Sequence, residues 1–157
     1  MIQNTDIPYS TIEGIDYLIK FTLFSSDKIP EYITIPIVDI VIETNSDVNE
    51  IKNSAYSLIQ ISKLIGTFIL NNDAIFYCYC SDKPIKKSLR KGKLTNQEYR
   101  SMHFCKMFEK SNNSSFINKI VVISDSQRGN HYLHLITASS NINMINQLAV
   151  QLTEFDK

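Results

Sequence analysis

Glycine is scarce in this chain. Its four copies, Gly14, Gly66, Gly92 and Gly129, stand far apart, so no glycine-rich loop of the dinucleotide or Walker type is available to cradle a phosphate. Cysteine is sparse and odd in number: Cys78, Cys80 and Cys105. Cys78 and Cys80 are two apart in an apolar run. A strand would put both on one face, where a mutual disulfide is geometrically poor. A reduced, cytoplasmic setting is therefore expected. The cysteines and the three histidines lack zinc-finger spacing, so neither a metal site nor a cofactor is predicted. Every apolar run is interrupted well before the ~18 residues of a membrane-spanning helix. The first residues show neither the basic nor the apolar stretch of a secretory signal. No membrane partner is expected. Net charge is also missing: 16 Lys and Arg balance 16 Asp and Glu, so no global field draws in nucleic acid.

What is present is ordinary globular material. The 157 residues are 43% hydrophobic and 20% charged, enough apolar surface to offset chain entropy in one domain, 1–157. Residues 15–24 alternate with period two: Ile15, Tyr17, Ile19, Phe21 and Leu23 against Asp16, Lys20 and Thr22. That pattern predicts a half-buried strand. A second β-rich run over 32–42 contains Pro36, which lacks an N–H and predicts an edge strand or a bulge. Asp47 and Glu50 have capping-box spacing ahead of a helix over 48–68, with Ile51, Ala55, Leu58, Ile59, Ile65 and Phe68 as its apolar stripe. Residues 75–80 are apolar on both faces and fit a central strand. Residues 81–94 read as a polar, basic loop. Thr95 and Glu98 form a capping box of the preferred T-x-x-E type, opening a helix to Lys110. Two strands over 119–124 and 131–137 flank a hairpin loop at 125–130. Ile142, Ile145, Leu148, Ala149, Leu152 and Phe155 make a final helical stripe. The order ββαβαββα predicts an α+β fold: a two-layer sandwich of three helices on one face of a mostly antiparallel sheet of about five strands.

Neutrality hides a strong asymmetry. Residues 1–82 carry four lysines against eleven carboxylates, a net −7, whereas 83–110 carry nine cations against two glutamates, a net +7. The cations are Lys83, Lys86, Lys87, Arg90, Lys91, Lys93, Arg100, Lys106 and Lys110. At about 100° per residue, Phe104, Cys105 and Phe108 form one helix face, and Tyr99, His103, Lys106 and Lys110 the opposite one. Cations beside an exposed aromatic suit phosphate contacts and base stacking. The plainer alternative is a solvated lysine face, with the loop folding back on the acidic first half.

The segment His131-Tyr132-Leu133-His134 invites a catalytic or metal reading. In a strand, positions three apart point to opposite faces, so the two histidines should not converge. Asp125, Arg128 and His131 all fall at the hairpin end and could cluster. A carboxylate orienting an imidazole near a cation suits general acid–base work on a phosphoester. The alternative is a turn stabilised by Asp125, since no other part of a hydrolytic constellation is visible.

Three stretches together resemble a small bacterial family of unknown function. They are 76–82 (FYCYCSD), Glu98-Tyr99-Arg100 with Phe104 and Met107-Phe108, and 131–136 (HYLHLI). The resemblance runs from about Tyr17 to the C-terminus. It implies a stand-alone bacterial cytoplasmic protein but no settled activity, so no catalytic residue is carried over.

The expectation is therefore a non-enzymatic interaction protein. Its basic loop and helix would contact an acidic partner: a protein, another copy of itself, or nucleic acid. The binding residues would be Lys86, Lys87, Arg90, Lys91, Lys93, Tyr99, Arg100, His103, Lys106, Lys110 and Arg128. The competing expectation is a small nuclease or phosphoesterase-like toxin or antiviral defence effector, using His103, His131 or His134 with Asp125. A small-ligand sensor with Tyr77 and Tyr79 lining a pocket is a third, although aromatics on a strand more often belong to a core.

Overall fold

The structure is a computed structural model and describes residues 2–47, 54–84, 87, 89–110 and 114–154. Six strands form one sheet: β1 (Thr5–Ser10), β2 (Asp16–Leu23), β3 (Ile37–Thr44), β4 (Ile75–Cys80), β5 (Phe116–Ile123) and β6 (His131–Ala138). Three helices accompany them: α1 (Ala55–Leu70), α2 (Asn96–Lys110) and α3 (Ile142–Glu154). The sheet order is β1-β2-β3-β4-β6-β5. Only β3 and β4 pair in parallel, joined by the α1 crossover; the other neighbours are antiparallel. The α+β class, the mostly antiparallel sheet and the ββαβαββα order from β2 onward are as the sequence predicts.

The first strand is an addition. Its sequence TDIPYS is short, half polar and contains Pro8, so it gives almost no strand signal. Pro8 is tolerated because β1 is an edge strand and the missing N–H costs no ladder bond. Gly14 closes the β1–β2 hairpin with φ +85, a conformation that is cheap only without a Cβ.

Pro36 does not make β3 an edge strand. The strand begins at Ile37, after the proline, and lies between β2 and β4. The ring's missing N–H is therefore outside the ladder, while the Pro36 carbonyl accepts from Ile75 N at 2.9 Å.

Of the capping box expected at Asp47 and Glu50, Glu50 lies outside the described residues, as do residues 48–53 of the expected helix. The described helix α1 is capped by Ser54, whose Oγ accepts from Ser57 N at 3.2 Å. Glu13, in the β1–β2 turn, adds a carboxylate there, accepting from Ser54 N at 2.9 Å and Ser57 Oγ at 2.6 Å. Those bonds hold its pKa down to about 2, as expected for an anion at a helix N-terminus. The buried stripe is Ser57, Ile61, Ile65 and Ile69, and Ile59 is exposed. The helix is apolar on nearly every side, so periodicity alone leaves its phase open.

The helices do not share one face, so the layering is helix–sheet–helix rather than the expected two layers. Ile61, Ile65 and Ile69 of α1, with Phe104 and Phe108 of α2, pack on Phe21, Val38, Ile40, Phe76 and Ile136. Ile145, Leu148 and Ala149 of α3 pack on Ile37, Ile75, Val121, Leu133 and Leu135. These strand residues alternate, which assigns the two clusters to opposite faces. The extra layer follows from the sheet itself: β4 and β6 are apolar on both sides and require cover on both.

Candidate functional site

Two polar clusters stand at the same end of the sheet, one on each face. The first is built on α2. Its capping box forms as the sequence predicts: Glu98 N donates to Thr95 Oγ1 at 3.2 Å, and Thr95 N donates to Glu98 Oε2 at 2.9 Å. The other oxygen, Glu98 Oε1, accepts from the Tyr132 hydroxyl at 3.3 Å. Buried Gln97 donates to the Arg128 carbonyl at 2.9 Å. Gly129 sits beside it with φ +82, and a Cβ there would meet Gln97 Nε2 at 3.3 Å. The β5–β6 hairpin is thereby fastened to the first turn of α2.

The outer face of α2 is smaller than the helical wheel implies. Tyr99 is only 9% exposed and meets His103 edge-on, with ring centroids 4.4 Å apart. It cannot offer its face to a base. Arg100 also turns inward. Its Nη1 donates to the carbonyls of Ser81 at 2.7 Å and Lys83 at 2.5 Å, closing the chain after β4 onto the helix. Lys87 is tied down as well, with Nζ donating to the Leu94 carbonyl at 2.7 Å. Lys86 lies outside the described residues. The wheel could not show this, because the segment after β4 returns along that flank and uses these groups to satisfy its own backbone.

The remaining cations do face water. Lys83, Arg90, Lys93, Lys106 and Lys110 are exposed, as is Arg128 of the hairpin, and Lys91 is half-buried. Among the described residues, the ion pairs within 4.0 Å are Lys20–Glu43 and His131–Asp125, so none joins a cation of 83–110 to a carboxylate. The fold-back neutralisation that the charge blocks also allowed is not observed among those residues. The neighbouring Lys106, foremost, and burial lower the Lys91 pKa, because a like charge disfavours the protonated ammonium. Burial, then the charges of Lys91 and Lys106, lower the pKa of His103.

The second cluster is the histidine hairpin. His131 and His134 point to opposite faces, as strand alternation requires. Asp125 Oδ1 accepts from the backbone N–H groups of Gln127 at 2.8 Å and Arg128 at 3.1 Å, and Oδ2 meets His131 Nε2 at 2.8 Å. These bonds, the one to His131 foremost, hold the Asp125 pKa down to about 2. Arg128 is exposed nearby and carries no ion pair within the described residues. The other ring nitrogen, His131 Nδ1, meets the Tyr79 hydroxyl at 2.8 Å. A carboxylate at Nε2 favours the proton there, so Nδ1 accepts from the tyrosine. The result is a Tyr79–His131–Asp125 chain. Tyr79 as the third member was not anticipated, because it comes from β4, and only the β4–β6 pairing brings it to the hairpin.

His134 is not a functional group of the same kind. It is 0% exposed, with Nε2 2.8 Å from Ser101 Oγ and Nδ1 3.0 Å from Asn118 Oδ1. Both nitrogens are engaged and no substrate can reach them, so the catalytic alternative at His134 is set aside. Burial pulls its pKa down to about 4, keeping the ring neutral.

Cys78, Cys80 and Cys105 are free thiols. Burial raises all three pKa values, that of Cys80 to about 12, which removes the thiolate a nucleophile needs. Among the described residues, no three His, Cys, Asp or Glu side chains are grouped to hold a metal ion. No helix among them is long and apolar enough to cross a membrane. Two shallow depressions, of about 270 and 480 Å³, lie beside Leu70–Asp73 and between β5 and α3. Neither adjoins the histidine hairpin, and Tyr77 and Tyr79 line neither.

Comparison with protein-family models, curated proteins and solved structures gives no match.

Proposed function

We propose that this chain is a non-enzymatic docking protein that uses the exposed cations of 83–110, with Arg128 at their flank, to bind an anionic macromolecule. The carrying observation is that Lys83, Arg90, Lys91, Lys93, Lys106 and Lys110 lack carboxylate partners among the described residues. A cluster of unneutralised cations on one flank repels itself, and an incoming anion relieves that repulsion. Titration of labelled oligonucleotides and of a polyglutamate peptide tests the reading by fluorescence anisotropy. Binding should weaken at least tenfold between about 50 and 200 mM salt, through counterion release. It should also weaken when Lys93 and Lys110 are replaced together by glutamate. Absence of binding to either probe at the lower salt overturns it.

A second reading is favoured by one arrangement, the Tyr79–His131–Asp125 chain. A hydroxyl bonded to an imidazole that is held by a carboxylate has the connectivity of an activated nucleophile. It also has a purely structural use, tying the hairpin to β4. A chromogenic phosphodiester assay separates the two uses. Turnover lost in both Tyr79→Phe and His131→Gln, with both variants folded, supports catalysis. Absence of turnover in the unmodified protein leaves the chain as a structural tie.

A further inference from the structure

The sheet ends in two unlike edges. β1 is short and carries Pro8, which has no N–H to offer a neighbour. A proline is a common means of closing an edge to further pairing. β5 has eight residues, FINKIVVI, with neither proline nor glycine and with Lys119 as its one charge. Among the described residues no strand lies beyond it.

The direction of its backbone groups follows from one bond. Ser139 N donates to the Ser115 carbonyl at 2.7 Å. From there the register runs unbroken, from Phe116 opposite Ala138 to Ile123 opposite His131. Ser115 and Ser139 are therefore a hydrogen-bonded pair, and in an antiparallel ladder such pairs alternate with non-bonded ones. Ile117, Lys119, Val121 and Ile123 then bond to β6. The N–H and C=O groups of Asn118, Ile120 and Val122 point outward, and no backbone bond among the described residues engages them. The side chains of Ile120 and Val122 are also 42% and 41% exposed. An open row of backbone groups thus coincides with two uncovered β-branched residues, and such an edge is a template for a further strand.

We infer that β5 pairs antiparallel with β5 of a second copy, about a two-fold axis at Val121, joining two sheets into one. Charge selects this occupant. Identical surfaces that meet about a two-fold axis are destabilised by like charges set opposite one another. Beside β5 lies the shallow depression of about 480 Å³, lined on α3 by Asn146, Ala149, Val150 and Thr153. Strand and depression together contain no charged group but Lys119, unlike the cation flank, which repels its own copy. Charge also selects the register. An axis at Lys119 sets the two lysines opposite each other. An axis at Ile120 leaves them diagonal neighbours and puts Val122 against the partner's Asn118. With the axis at Val121, each lysine lies opposite the partner's Ile123, and each Ile120 opposite the partner's Val122. The latter residues exchange both backbone bonds and cover each other's side chains.

Sedimentation equilibrium on the full chain, from about 1 to 200 μM, tests the pairing, since small interfaces associate weakly. The mean mass should rise towards twice that of one chain. It should do so equally at about 50 and 500 mM salt, because backbone bonds and apolar contacts are not screened as surface charges are. Amide hydrogen exchange at Ile120 and Val122 should slow as concentration rises, while Lys119 and Val121, bonded to β6, exchange slowly throughout. Ile120→Asp and Val122→Lys should each be monomeric, with the amide NMR spectrum of a folded chain. Mixed in equal amounts they should pair, because the register sets the two new charges opposite each other. A single-chain mass at every concentration overturns the inference. Association that disappears at the higher salt also overturns it, and belongs to the charge blocks instead. So does association that survives both substitutions, or a pair of monomeric variants that stay apart on mixing. The exchange measurement needs no substitution: a natural chain that dimerises with unchanged exchange at Ile120 and Val122 overturns the β5 contact even if the variants misfold.

Discussion

Lowering the pH from 7 to 4 is expected to cost the fold about 3 kcal/mol through His134 alone. The residue is fully buried, and its folded-state pKa is about 4 against an ordinary 6.5. A depressed histidine pKa means that the unfolded chain binds the proton more readily. The contribution is therefore intact well above pH 6.5, falls as the pH drops through that value, and levels off below about 4. The groups bonded to the ring, Ser101 and Asn118, are uncharged, and Phe104 packs against it. Desolvation alone is therefore the cause. His103 has a lowered pKa and adds to the slope with the same sign, while Asp39, raised by burial, opposes it. The carboxylates of Glu13 and Asp125, lowered from 4.5 and 3.8 to about 2, act with the same sign as His134, and their contribution falls from about those ordinary values down to about 2. The measurement is urea unfolding at several pH values for the natural chain and His134→Gln. The difference between the two should shrink by about 3 kcal/mol from pH 7 to pH 4. Parallel pH profiles would remove His134 from the account.

Phe76→Ala should destabilise the protein by about 3–5 kcal/mol, a large share of a typical domain's stability. Phe76 is 0% exposed in β4, where α1 and α2 both cover the sheet. It meets Phe68 edge-on at 6.1 Å, and Phe68 stacks on Phe21 at 3.8 Å. Truncation leaves a cavity walled by a strand, a helix and a second ring, none of which can close it without breaking the sheet ladder. Val122→Ala provides the contrast: that side chain is 41% exposed on β5, and its loss should cost well under 1 kcal/mol. Denaturant midpoints of the two variants check both values. Similar midpoints would mean that the Phe21–Phe68–Phe76 group is not the centre of the core.

Much of the candidate site could be read from order along the chain. The Thr95–Glu98 capping box is local, three residues wide, and α2 starts where it says. The approach of Asp125 to His131 is nearly local too, because six residues across a hairpin loop bring the ends together. The opposed directions of His131 and His134 need only the strand's two-residue repeat. The block of cations is a property of composition, and it survives as a surface with some members removed.

Sequence alone determined which stretches become helix or strand from β2 onward, since hydrophobic period and capping residues act over a few positions. It also determined that one flank would concentrate positive charge. Tertiary structure decided the rest. An amphipathic helix such as α3 must bury a stripe, but nothing local says against which side of a sheet, and the chain passed it to the face opposite α1 and α2. Tyr79 joined His131 only because β4 was placed beside β6. Arg100 and Tyr99 were withdrawn from the surface because a returning loop needed donors for its carbonyls and cover for its flank. These outcomes depend on contacts between residues distant in sequence, and short-range patterns carry no record of which distant partner will arrive.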